Sequence, residues 1–440
     1  MKRLSYFSVY IAVIYLLSPF RSVAQNNQQS NVELAQKILS DASLKKVDSM
    51  GRQLLTKPFN AGDGYSQVWL RDMNTFIDIA LEIRNPDDIK YALKFFFEFQ
   101  QPNNEIIDCI GPKEKKWGDP NLYYSPCNSK YVGFKNTVET DQETSLIQAV
   151  AKYVRKTKDY SFLSDTICGE TVLNRMKNAV SYLMKERYNK KYGLLWGAMT
   201  ADWGDVQPSK TSIVDIDSST TPAIDIYDNA MFIIALKDLS GLISDKKQAA
   251  YYADLENKIF KNTRKYLWDA KKQQFIPHIY IDRSPIPKGF DESTIFYHGG
   301  TAVAIEAGLL SKKEIKSVNE HMLQDVKQSG APSIGLTLYP VYPQNFFPGG
   351  MANPYVYQNG GDWHWFGGRM IQQLAGNGFT AEAYDELQPM IQKILQYNSF
   401  YEWYDIKGEG KGSNNFKGSA GVICKAIEML HGWAAYQIVQ

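Results

Sequence analysis

Two loop segments set carboxylates among aromatic rings. One is Phe400-Tyr401-Glu402-Trp403-Tyr404-Asp405, followed by Gly408-Glu409-Gly410 and Asn415-Phe416-Lys417-Gly418. Rings such as Trp403 offer platforms for sugar faces, and Glu402 held among them could orient or deprotonate a water. The other is Thr200-Ala201-Asp202-Trp203-Gly204-Asp205-Val206-Gln207-Pro208. Gly204 and Pro208 argue against helix, so Asp202, Trp203 and Asp205 are expected at a loop mouth. A carboxylic acid against an indole is desolvated, which raises its pKa and lets it serve as a general acid. The competing reading is that one Asp caps a turn and the other is solvated.

Three further segments could hold a substrate. Val68-Trp69-Leu70-Arg71-Asp72 opens a helix. Arg71 can donate as a fork and Asp72 can accept from hydroxyls, although a helix-start ion pair explains both equally well. Glu139-Thr140-Asp141-Gln142-Glu143 reads first as a capping box from Thr140 to Glu143, with Asp141 and Gln142 as binding candidates. Tyr357-Gln358-Asn359-Gly360-Gly361-Asp362-Trp363-His364-Trp365 combines amides and indoles at a Gly-allowed turn. Gln358, Asn359, Asp362 and Trp363 suit hydroxyl recognition and ring stacking; Asp362 could equally be a plain N-cap.

Other chemistries find little support. The five His include no HExxH and no pair at ligand spacing, so no metal and no other cofactor is expected. No Walker-A loop and no dinucleotide-binding glycine motif occurs. The first residues read as a signal peptide over 1–24: Lys2 and Arg3, an apolar run from Tyr6 to Leu17, then Ser22-Val23-Ala24. Loss of Lys2, Arg3 and Arg21 takes the formal charge from +2 to −1. That balance gives no reason to bind nucleic acid or an anionic membrane. No later stretch is apolar enough to span a bilayer, so a periplasmic or secreted location is expected. Of four Cys, Cys109 and Cys127 bracket one loop and are the expected disulfide, with Cys168 and Cys424 as buried thiols.

These segments must be positioned by helices. Apolar periodicity predicts twelve, near 31–56, 71–84, 87–100, 140–156, 170–187, 225–240, 245–266, 297–309, 312–326, 362–375, 380–396 and 418–436. Strand-like alternation is confined to short stretches such as Gln274 to Ile281. Short links alternate with long ones, and the long ones carry the Trp, Asp and Gly clusters. That alternation predicts an all-α (α/α)6 toroid over residues 25–440, six helical hairpins with their long loops gathered at one mouth.

The motifs carry a family resemblance. The chain resembles the six-hairpin glycosidases, most closely the bacterial members around glycoside hydrolase family 63, which include α-glucosidase-like and mannosylglycerate hydrolase-like enzymes. Tyr401-Glu402-Trp403-Tyr404-Asp405 with Gly408-Glu409-Gly410 is similar to that family's segment carrying the catalytic base, which implies Glu402 as base. Gln358-Asn359-Gly360-Gly361-Asp362-Trp363 and Trp69-Leu70-Arg71-Asp72 are similar to the Asn-Gly-x-x-Trp and Trp-x-Arg-Asp patterns of related toroids. The acid loop departs: Asp202-Trp203-Gly204-Asp205 is closer to the Asp-Trp-Asn-Asp of family 94 phosphorylases, which favours Asp205 over Asp202 as proton donor.

The resemblance implies an exo-acting hydrolase of α-glucosides working with inversion. Its two carboxyl groups are then expected about 6.5–9.5 Å apart. The rivals are a disaccharide phosphorylase, a sugar epimerase of the same fold, and a non-catalytic glycan-binding protein. A phosphorylase needs a phosphate pocket, an epimerase paired His; the binding protein keeps the aromatic rings and drops the acid.

Overall fold

The computed structural model describes residues 29–114, 122–209 and 211–439. The segment read as a signal peptide lies outside them. Thirteen α-helices occur among the described residues: α1 (29–40), α2 (Ala42–Leu55), α3 (Leu70–Ile83), α4 (Pro86–Glu98), α5 (Asp141–Thr157), α6 (Val172–Glu186), α7 (Ile226–Leu242), α8 (Lys246–Tyr266), α9 (His298–Glu306), α10 (Lys312–Ser329), α11 (His364–Gly376), α12 (Thr380–Tyr397) and α13 (Lys417–Val439). The helix expected over 31–56 is two helices. Asp41 adopts an extended conformation, and its side chain accepts from the N–H groups of Ser43 and Leu44. A capping residue here outweighs apolar periodicity that runs on through it.

The odd-numbered helices from α3 to α13 form a closed ring. Each packs against the next, and α13 returns to α3. The even-numbered helices lie outside, with α2 on α13, α8 on α7, α10 on α9 and α12 on α11. The two rings differ as their burial demands. Ring helix α7 is buried almost all round, from Ile226 to Leu242, because it has neighbours on both flanks and one behind. Outer helix α8 buries only a stripe, Tyr252, Leu255, Ile259 and Thr263, at the spacing of one helical face. One large apolar cluster fills the space between the rings, and a smaller one gathers around Tyr297, Tyr342 and Phe347.

Short links, such as Arg84-Asn85 and Asn377-Gly378-Phe379, leave α3, α7, α9 and α11 at their C-terminal ends, whereas α5 leaves by residues 158–171, which carry a 3-10 turn and a small hairpin. Long links arrive at the N-terminal ends. Two of them together build a four-stranded sheet. Strand β1 (Val68–Trp69) pairs antiparallel with β2 (Cys109–Pro112), β2 with β4 (Tyr131–Phe134), and β4 with β3 (Leu122–Tyr123). This sheet caps the ring at the entrance to α3 and α5.

The disulfide differs from the expected pair: Cys127 bonds Cys168, and Cys109 is a buried free thiol. Cys109 sits in β2 opposite Phe134 and is almost wholly buried. Cys168 ends the short strand Thr166–Ile167 at a hairpin turn before α6, with a positive φ of 47°, rather than lying in a helix. Proximity along the chain favoured Cys109; the fold brings the more distant Cys168 to Cys127. Cys424 is a buried thiol in α13.

Candidate active site

A cavity of about 250 Å³ opens where the long links converge on the inner-helix N-termini. Among the residues singled out in the sequence, Trp69, Arg71, Asp72, Trp203, Asp205, Gln358, Trp363 and Glu402 line it. Tyr65, Asp108, Phe134, Asn136, Glu139, Tyr357, Trp365 and Phe416 join them. Of these, Glu139, Tyr357, Trp365 and Phe416 lie in segments already noted.

Glu402 precedes the strand Trp403–Tyr404, which pairs with Gly410–Lys411. Its main-chain N–H donates to Ser413 O at 2.8 Å, and its Oε2 accepts from Ser413 N at 2.8 Å. Gly412 has φ +66°, and a Cβ there would come within 2.4 Å of that same Oε2. Only glycine suits both the backbone and the clearance. Tyr65 Oη donates to the other oxygen at 2.9 Å. Burial raises the Glu402 pKa, the Ser413 and Tyr65 donors oppose it, and the charge of Asp205 adds to the rise.

Asp205 is half-buried on the wall. Its backbone is held from two sides: Asn136 Nδ2 donates to its carbonyl at 2.7 Å, and Gln358 Oε1 accepts from its N–H at 3.1 Å. Burial raises its pKa against the pull of the Arg71 charge. Asp72 sits at the start of α3 with Oδ1 buried and unbonded within the protein. Burial pushes its carboxyl up to about 8, Arg71 drawing it down. Asp108, held by Asn136 N at 2.7 Å, is pushed by burial up to about 7.

Arg71 is fixed from behind. Its Nε donates to Asp141 Oδ2 at 2.5 Å, and its Nη2 meets Glu139. Tyr227 Oη donates to the same Asp141 oxygen at 2.7 Å. Asp108, Glu139 and Asp141 lie within 4.8 Å of one another, with the guanidinium bridging two of them.

The remaining candidates lie outside the cavity wall. Asp202, at φ +58°, accepts from Gly299 N at 2.7 Å and Gly300 N at 2.8 Å, so its carboxylate caps the N-terminus of α9. Burial raises its pKa to about 8 while these two donors oppose it. A Cβ on Gly299 would strike Trp203, so α9 approaches this loop as only a glycine helix start allows. Asp141 backs Arg71, and Gln142 donates to Asn136 O at 3.2 Å. Asn359 clamps both backbone groups of Tyr342. Asp362 accepts twice from Ser333 Oγ rather than capping α11, and its backbone pairs with Tyr404. Trp403 packs edge-on against Tyr357. The capping box expected from Thr140 does not form: Glu143 accepts instead from Lys135 Nζ at 2.6 Å and Ile106 N at 2.8 Å.

Aromatic side chains build the floor. Trp203 stacks on Phe366 at 4.2 Å and meets Trp363 and Trp365 edge-on at 4.7 and 5.5 Å. The indole nitrogens of Trp69, Trp203 and Trp365 and Nε2 of Gln358 are buried without a partner inside the protein. Buried donors left open beside a cavity invite a polar ligand. Open donors, acceptor carboxylates and ring faces together match a polyhydroxylated ring.

No protein-family model matches the sequence, and no curated protein matches it significantly. Solved structures do match. A glycoside hydrolase family 63 mannosylglycerate hydrolase from Thermus thermophilus, in complex with Tris, superposes with a TM-score of 0.60 at 14% identity, over 86% of this chain and 99% of that one. A rhamnosidase from Klebsiella oxytoca with rhamnose bound gives 0.59 at 12% identity, over 89% of this chain and 64% of that one. A family 78 rhamnosidase from a Bacillus species gives 0.58 at 15% identity, over 87% and 34%. The chain therefore has the helical toroid fold of the six-hairpin glycosidases.

Proposed function

We propose that residues 25–440 form an exported, exo-acting glycoside hydrolase that cleaves with inversion. The observation that carries this is one aromatic-lined cavity shared by Asp205 and Glu402, both with raised pKa. Asp205, whose pKa burial raises, gives its proton to the leaving oxygen. Glu402, held by Ser413 and Tyr65, takes a proton from the attacking water. Arg71 and Asp72 hold the sugar hydroxyls, with Trp363 and Trp203 beneath the ring. Asp205 is preferred to Asp202 because two backbone amides already occupy the Asp202 carboxylate.

The cavity is smaller than the roughly 300–1,000 Å³ usual for drug-sized ligands, which suits one terminal sugar. Export draws support from the Cys127–Cys168 bond, since disulfides persist in oxidising compartments. α-Glucosides lead as substrates through the motif resemblance. Among the described residues no helix is long and apolar enough to cross a membrane.

The test is release of aryl alcohol from a panel of aryl glycosides, with Glu402→Gln as control. Glu402→Gln abolishes turnover on every leaving group while sugar still binds. NMR of the first-formed anomer reads inversion, and the retained anomer refutes it. Binding without turnover in the unaltered protein would favour a glycan-binding role.

A further inference from the structure

The charges around the cavity restrict which sugar it accepts. Five carboxylates line it: Asp72, Asp108, Glu139, Asp205 and Glu402. Arg71 is the one cation among the described lining residues, and Asp141 and Glu139 already engage it. Lys417, whose charge reaches Asp72, turns its Nζ to Asn60 O at 2.6 Å and Asn60 Oδ1 at 3.2 Å. The open polar atoms are neutral N–H donors, on Trp69, Trp203, Trp365 and Gln358, and the acceptors Oδ1 of Asp72 and Oε1 of Glu139. A hydroxyl both donates and accepts, so it complements such a set. A carboxylate, phosphate or sulfate only accepts, and here it would be desolvated beside like charge.

We propose, building on the glycosidase reading, that this cavity selects a terminal sugar without negative charge and rejects its uronate and phosphorylated counterparts. The distinction is electrostatic rather than one of size. A C6 amide and a C6 carboxylate have nearly the same shape, and only the second brings an anion to a lining that holds the Glu402 carboxylate and whose one described cation, Arg71, is already paired. Like charges placed side by side at an interface disfavour the wrong partner strongly.

The experiment compares three aryl glycosides of one sugar and anomer on the unaltered protein: the parent hexoside, its C6 uronamide and its C6 uronate. The parent is the neutral sugar that performs best in the panel above. The expected result is a kcat/KM for the uronate at least about tenfold below that of the uronamide. A smaller gap, or preference for the uronate, overturns the proposal and leaves the hydrolase reading standing. If no glycoside is hydrolysed, the hydrolase reading fails, and calorimetric titration with glucuronamide and glucuronate still decides the charge question. Binding of the amide alone supports the proposal; binding of the acid as tightly, or of neither, overturns it.

Discussion

Tyr65→Phe should shift the acid limb of the pH–rate profile and do little else. Tyr65 Oη donates to Glu402 Oε1 at 2.9 Å, while Ser413 N holds Oε2. Burial raises the Glu402 pKa, and these donors oppose that rise by favouring the charged form. A base acts as its carboxylate, so kcat/KM is full above the Glu402 pKa and falls as pH drops through it. Removing one donor raises that pKa and moves the acid limb to higher pH. A hydrogen bond to a charged group contributes about 1.5–3 kcal/mol. One pH unit corresponds to about 1.36 kcal/mol. Tyr65 is half-buried, so the lower end applies and the limb should move up by about one pH unit. Phe keeps the ring against Trp69 and Phe416. The assay is kcat/KM from about pH 4 to 9 on an activated aryl glycoside. A uniform drop at every pH, with the limb in place, would show that Tyr65 only fills space. A limb moving down would refute the assignment of Glu402 as base.

Asp205→Asn should slow poor leaving groups by roughly 10²–10⁴-fold and activated aryl glycosides far less, read as the slope of rate against leaving-group pKa; the same pattern in Asp202→Asn but not Asp205→Asn would reverse the choice of acid. Asp72→Asn should weaken sugar binding yet raise the melting temperature at about pH 8. The folded pKa of Asp72, about 8, lies above its ordinary 3.8, so its contribution is fully present below about pH 4 and lost as pH rises through 8; the gap between variant and parent should therefore widen from about pH 4 to pH 8 in thermal melts. Replacing both Cys127 and Cys168 by Ser opens a loop with a sequence separation of 41 residues and should cost about 4 kcal/mol by loop entropy, measured by denaturant unfolding.

The helices were legible because their signal is local. Buried stripes such as Tyr252, Leu255 and Ile259 announce themselves at helical spacing, and the alternation of short and long links announces the pairing. The cavity was legible where chemistry-bearing residues cluster along the chain, as at Trp69-Leu70-Arg71-Asp72. It was not legible where a residue acts alone. Tyr65 stands in a loop with no periodicity, and its partner Glu402 is 337 positions away. Asp108 carries no motif and reaches the wall because β2 pairs with β1. Asp202 and Asp205 looked alike in sequence. Motif resemblance favoured Asp205, and the structure separates the two where the N-terminus of α9 supplies two amides to Asp202 and none to Asp205. Asn359 and Asp362 have the right types for sugar contacts, but local backbone groups and Ser333 use them first.

The toroid also explains how so many acids can share one cavity. Each long link delivers its chain to the N-terminus of an inner helix. Arg71 and Asp72 begin α3, Asp141 begins α5, Trp365 lies in the first turn of α11, and Phe416 immediately precedes α13. Tyr227, in the first turn of α7, donates to Asp141, and the first turn of α9 binds Asp202. Helix N-termini carry partial positive charge, which favours nearby carboxylates. Some carboxylates are tied to that scaffold, as Asp141 is to Arg71 and Tyr227. Others keep open oxygens, as Asp72 does, and burial holds them near neutrality. A helix ring that turned its C-termini to the mouth would add negative charge to an already acidic wall. The direction of the inner helices is therefore part of the proposed site, as much as Asp205 and Glu402 are.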